Sequence, residues 1–200
     1  MSSPSSSRSS RFLLPALLLA IGAILLGATA WMTLAPREPG APAPSAIGGP
    51  FKLISQEGKP VTEADFKGTP TLLFFGYTHC PDVCPTTLFE ISELLKGMGK
   101  DKKVTVLFVS VDPERDTPAI MKDYTSSFDP RIVGLTGDRP SVDAMLKAYR
   151  VYSKKVPGTG DDYNMDHSAI IYLMDKQMRF VNALNLDKPE VAAKEIARYL

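Results

Sequence analysis

Thr71-Leu72-Leu73-Phe74-Phe75-Gly76-Tyr77-Thr78-His79-Cys80-Pro81-Asp82-Val83-Cys84-Pro85 begins as an apolar run and ends in a pair of cysteines bracketed by prolines. The opening residues, through Gly76, are apolar at almost every position, as in a central parallel strand covered on both faces. Beyond the cysteines, Leu88, Ile91, Leu95 and Met98 recur at helical spacing. Pro85 cannot lie deep in that helix, because its ring would clash with the carbonyl of Pro81. The helix therefore starts at about Asp82–Cys84, with Cys80 in the strand-to-helix turn and Cys84 in the first helical turn.

The same grammar continues downstream. Val104–Val111 reads as a second central strand. Asp116-Thr117-Pro118 reads as a helix start, with Thr117 as N-cap and Pro118 at the first helical position, and this helix should run to about Ser127. Ile132–Leu135 is a short strand, and Ser141, Val142, Met145, Leu146 and Tyr149 mark another helix. Val151–Ser153 suggests an edge strand, and Val156–Met165, rich in Gly and Asp, a loop. Ser168–Met174 and Arg179–Val181 flank a Lys176-Gln177 turn as a closing hairpin, and Pro189–Leu200 is a terminal helix. Together these elements describe a three-layer α/β domain on a mixed central sheet. Ligands in such sheets gather at the carboxyl edge of the parallel strands.

The first fifty residues are of another kind. Residues 1–11 are Ser-rich, with Arg8 and Arg11 and no acid, and Phe12–Leu34 runs 23 residues without a charge. As a helix that run would span roughly 34 Å, enough for a bilayer core of about 30 Å. Residues 12–34 are therefore expected to be one transmembrane helix, with 1–11 cytoplasmic and the remainder exported. Ala28-Thr29-Ala30 leaves a cleaved signal peptide open as the alternative. Residues 35–50, with five prolines and three glycines from Pro36 to Pro50, form an extended tether. Residues 51–200 are left as the folded domain. Its acids and bases nearly cancel, and no basic stripe marks a nucleic-acid face.

Cys80 and Cys84 are the only cysteines in the chain. An exported compartment permits a disulfide, but one closing so short a loop would be a poor structural staple. Two inert buried thiols are the plain alternative, which the flanking prolines and the lack of any other cysteine argue against. A helix N-terminus offers partial positive charge and free N–H groups that favour thiolate. Three residues separate the pair, where a thioredoxin redox motif has two, which leaves room for a bridging ion. His167, the only other histidine besides His79, precedes the first strand of the closing hairpin and supplies a third soft donor. Structural zinc wants four closed ligands. Two thiolates and an imidazole suit Cu(I), and with a further oxygen ligand Cu(II). His79 should point away from Cys80. Met165 reads as core filler, with a soft ligand as the alternative, Asp166 as a partner of His167 or a solvated carboxylate, and Tyr77 and Phe74 as core packing, with cover for the site as the alternative.

Tyr77–Pro85, then Ser110-Val111-Asp112-Pro113-Glu114-Arg115-Asp116-Thr117-Pro118, then Asp166-His167-Ser168 together resemble the Sco/SenC family, in order and in separation. The resemblance implies a thioredoxin-like fold and a copper-binding protein, with Cys80, Cys84 and His167 as metal ligands. It further implies assembly of the binuclear copper centre of cytochrome c oxidase subunit II. The single-pass anchor would then sit in an inner membrane with the domain in the periplasm or its topological equivalent. Keeping Cys80 and Cys84 reduced there would call for a thioredoxin-like reductant as partner. The alternative within the same residues is a thiol–disulfide oxidoreductase that reduces the target's cysteines. A peroxidase would want Thr or Ser where Tyr77 stands. The Asp112–Pro118 segment belongs to the resemblance, but the sequence gives it no role beyond starting a helix.

Overall fold

The computed structural model describes residues 18, 21–27, 29, 47–158 and 162–200. The chain divides into two units, Met1–Ala41 and Pro42–Leu200. In the first, residues 18, 21–27 and 29 are helical. Among the described residues no helix is long and apolar enough to cross a membrane. The rest of the expected 12–34 anchor, residues 1–11 and most of the 35–50 tether lie outside the described residues.

The second unit is built on a seven-stranded mixed sheet. Its strands are β1 (Lys52–Ser55), β2 (Pro60–Thr62), β3 (Thr71–Gly76), β4 (Thr105–Ser110), β5 (Ile132–Thr136), β8 (Ile171–Met174) and β9 (Phe180–Leu184), in the spatial order β2-β1-β5-β4-β3-β8-β9. The centre is parallel, with Phe74 beside Phe108 and Val109 beside Leu135, and both flanks are antiparallel. β3 is buried at every position and β4 at all but its first, which explains their unbroken apolar sequence.

The helices are α1 (Val83–Met98), α2 (Pro118–Thr125), α3 (Arg139–Ala148) and α4 (Pro189–Ala197). β3, α1, β4, α2 and β5 advance across the sheet in one direction, so right-handed crossovers put α1 and α2 on one face. Phe74 and Phe108 stack there, 6.0 Å between ring centroids, with Tyr124 of α2 a further 5.6 Å from Phe108. On the opposite face Phe75 meets Tyr149, just beyond α3, at 5.9 Å, and Tyr172 at 6.1 Å. These two aromatic clusters make the three layers. Thr117 caps α2 as expected, its hydroxyl accepting the Ile120 N–H, with Pro118 in the first turn.

Several expectations needed correction. α2 ends at Thr125 rather than Ser127, and the strand expected from Ser168 starts only at Ile171. β1 and β2 were not anticipated, although Leu53 and Ser55 point inward while Lys52 and Ile54 are exposed. Within the expected Val156–Met165 loop, Val156, Pro157 and Tyr163–Met165 are strand. β6 (Ser153–Pro157) and β7 (Tyr163–His167) pair antiparallel as a separate two-stranded sheet, Ser153 opposite His167. Polar, lysine-bearing strands around Gly and Asp hid this ribbon.

Candidate metal centre

The carboxyl end of β3 delivers the cysteines. Its last residue, Gly76, must lack a side chain, since a Cβ there would lie 2.6 Å from Cys84 Sγ and 2.8 Å from Phe108 Cε2. The chain then turns, with Cys80 N–H donating to the Tyr77 carbonyl at 3.3 Å, and enters α1. Cys84 falls in the first turn of α1, fully buried, while Cys80 stays half-exposed. The Cys84 backbone N–H points at Cys80 Sγ, 3.4 Å away. This is the free amide expected of a helix N-terminus.

His167 closes the site from β7. Its Nε2 lies 3.6 Å from Cys84 Sγ. Its Nδ1 is 3.2 Å from the Ser168 carbonyl, which can only accept, so Nδ1 carries the proton and the Nε2 lone pair faces the sulfurs. One donor atom each from Cys80, Cys84 and His167 lie within 4.8 Å of one another. The three residues singled out in the sequence therefore converge. Tyr77 stands edge-on to the imidazole at 5.8 Å and covers it, whereas Phe74 is taken up by its stack on Phe108. Met165 packs in the core, Asp166 is exposed, and His79 turns outward to within 3.1 Å of the Thr78 hydroxyl.

Burial governs the electrostatics. It pushes the Cys84 thiol well above the ordinary cysteine range, against the pull of the Tyr77 backbone N–H, and Cys80 and Asp116 add to the rise. The thiolate expected from the helix terminus is thus overridden at Cys84 by desolvation. Burial also lowers His167, opposed by the Ser168 carbonyl and Asp166. In the metal-free domain near neutral pH, Cys84 keeps its proton and the imidazole is uncharged.

A buried carboxylate that the sequence reading passed over organises the cysteine turn. Asp116 accepts from Ser110 Oγ at 2.5 Å, Thr78 Oγ1 at 2.6 Å and the Thr78 N–H at 3.2 Å. Burial outweighs these bonds and raises its pKa. The legible signal was an acidic residue six positions past Ser110, the last residue of a central parallel strand, at the edge where ligands gather.

Set beside known proteins, residues 39–200 match the SCO1/SenC family model. Protein SenC of Rhodobacter capsulatus is 39% identical over 191 residues, covering 88% of this chain and 85% of that protein. The mitochondrial SCO1 homolog 1 of Arabidopsis thaliana is 43% identical over 139 residues, 68% of this chain, but the chain spans only 42% of that protein's length. Among solved structures, ScoI of Bradyrhizobium japonicum, determined with copper bound, superposes with a TM-score of 0.74 at 62% identity, covering 77% of this chain and 99% of that one. The likeness carries the expected thioredoxin-like fold as well. Agreement of this extent, running through every element that builds the site, means that the chain belongs to the SCO1/SenC family.

Proposed function

We propose that this chain is a copper carrier that holds one copper ion through Cys80, Cys84 and His167 and supports assembly of the binuclear copper centre of cytochrome c oxidase subunit II. The observation that carries the reading is the meeting of two sulfurs and one imidazole nitrogen within 4.8 Å. Soft thiolates with a neutral imidazole suit copper in either common oxidation state. The copper bound to the Bradyrhizobium relative supports the same cargo here. Residues 12–34 would anchor the chain in the inner membrane, and 35–50 would tether the domain on the periplasmic side, where a thioredoxin-like reductant keeps the thiols available.

Copper titration of the reduced full chain tests this. One ion per chain is expected, with sulfur-to-Cu(II) charge-transfer absorption that changes in Cys80→Ser, Cys84→Ser and His167→Ala. Wild-type affinity in His167→Ala would remove the three-donor reading.

A second reading rests on the asymmetry of the thiols. Cys80, half-exposed, could attack a target disulfide as thiolate and expel one target sulfur. Cys84 would then displace the second target thiol, leaving a Cys80–Cys84 disulfide and a reduced target. His167→Ala should keep this exchange, which separates the two roles.

A further inference from the structure

His167 is the last residue of β7, a strand outside the seven-stranded sheet. β6 and β7 make no ladder with the seven-stranded sheet among the described residues. A two-stranded ribbon is marginal by itself, so the position of the imidazole depends on what ties β7 down. Alternate residues of a strand share one face. Tyr163, Met165 and His167 turn inward, while Asn164 and Asp166 are exposed.

Arg115 grips the far end of that inward row. Its Nη1 donates to the Tyr163 carbonyl and to Asp162 Oδ1, both at 3.0 Å. Its guanidinium lies 3.7 Å over the Tyr163 ring. Nε donates to Asp112, a fully buried carboxylate that also accepts the Tyr163 hydroxyl at 2.9 Å. The guanidinium further lies 5.7 Å from the ring of Tyr77, which itself covers His167. Arg115 Nη2 is buried without a partner among the described residues.

The turn that carries Arg115 also carries Asp116, the carboxylate that fixes Thr78 in the cysteine turn. Both the Arg115 and Asp116 amides donate to the Asp112 carbonyl, at 3.2 and 3.0 Å. One short turn after β4 therefore reaches both halves of the site.

We infer that Arg115 is a positioning residue for copper binding: through Asp112 and Tyr163 it sets the β7 strand so that His167 faces the two sulfurs. The inference rests on the three-donor reading above. Planarity matters, because the fork that bonds a carbonyl and two carboxylates while stacking on a ring has no lysine equivalent.

A double-mutant cycle in the full chain tests it, measuring copper affinity by competition together with the charge-transfer spectrum. Arg115→Ala should weaken copper binding about 10–100-fold, the usual effect of losing an outer partner of a metal ligand, and shift the spectrum toward that of His167→Ala. In a His167→Ala background the same substitution should cost almost nothing further. Arg115→Lys, which keeps the charge, should show a partial loss with native folding, and stands in if the alanine variant fails to fold. An undiminished effect of Arg115→Ala without His167, or wild-type affinity and spectrum in Arg115→Lys, overturns the inference while leaving the site intact. If His167→Ala itself binds copper as wild type does, the three-donor reading and this inference fall together.

Discussion

Cys84 Sγ and His167 Nε2 lie 3.6 Å apart although 83 positions separate them in the chain. The sulfur belongs to a helix terminus fixed by the central sheet, and the nitrogen to a two-stranded ribbon outside that sheet. A donor set split this way is sensitive to both partners, and its chemistry can be interrogated from either side.

The two thiols differ in reach. Cys84 is fully buried and its thiol is held protonated by desolvation, while Cys80 is half-exposed. In the reduced, metal-free chain a small alkylating reagent should modify Cys80 well before Cys84, and copper should protect both. Mass spectrometry of peptides from timed quenches checks the order. Equal rates would contradict the buried placement of Cys84.

Copper uptake should release protons at neutral pH. Cys84 lies above its ordinary range and must lose its proton to bind, so apparent affinity should rise by about tenfold per pH unit for each proton displaced. His167 lies below its ordinary range and is already neutral at pH 7, so it releases none there. As pH falls through the range where a free imidazole protonates, about 6.5, the unfolded chain gains a proton that the folded one resists. The stability associated with the neutral ring is thus full above that range and lost below it. Weakly buffered titrations with a pH indicator, beside thermal melts from pH 7 to 5, measure both effects.

Gly76→Ala should damage stability and metal binding together. The new methyl would meet Cys84 Sγ at 2.6 Å and Phe108 Cε2 at 2.8 Å, and both neighbours are fully buried. Overpacking of this kind costs about 1–3 kcal/mol, and displacement of the sulfur should lower copper affinity as well. Denaturant melts and copper competition on the same preparation decide the matter. A variant with native stability would mean that the sheet yields there.

Oxidising Cys80 and Cys84 to a disulfide should abolish copper uptake, because both sulfur donors are consumed. A small dithiol should restore it in full. Stoichiometry before and after reduction, with free-thiol counts, is the measurement. Copper bound at wild-type affinity by the oxidised chain would exclude the sulfurs as ligands.

Much of this site could be read from the chain because its signals are local. Val104–Val111 announces a doubly covered strand by composition, and Pro81 and Pro85 leave few places for the helix to start. The ribbon that carries His167 was harder to read than His167 itself. Its Tyr163 bonds to Arg115 and Asp112 from about fifty positions away, and such bonds leave no periodic trace. The protonated state of Cys84 escaped for a related reason. Helix polarity is visible in sequence, but the depth at which the sulfur is sealed depends on Gly76 and Phe108 in neighbouring strands.

That sealing gives the site a back and a front. Gly76 and Phe108 wall in the rear sulfur, so in the proposed transfer an acceptor would approach from the side of Cys80 and the imidazole edge. Exchange would then acquire a sequence, with the reachable donors replaced first and the walled-in sulfur letting go last. An ion handed on in that order would stay attached to one protein or the other throughout and need never pass free through water.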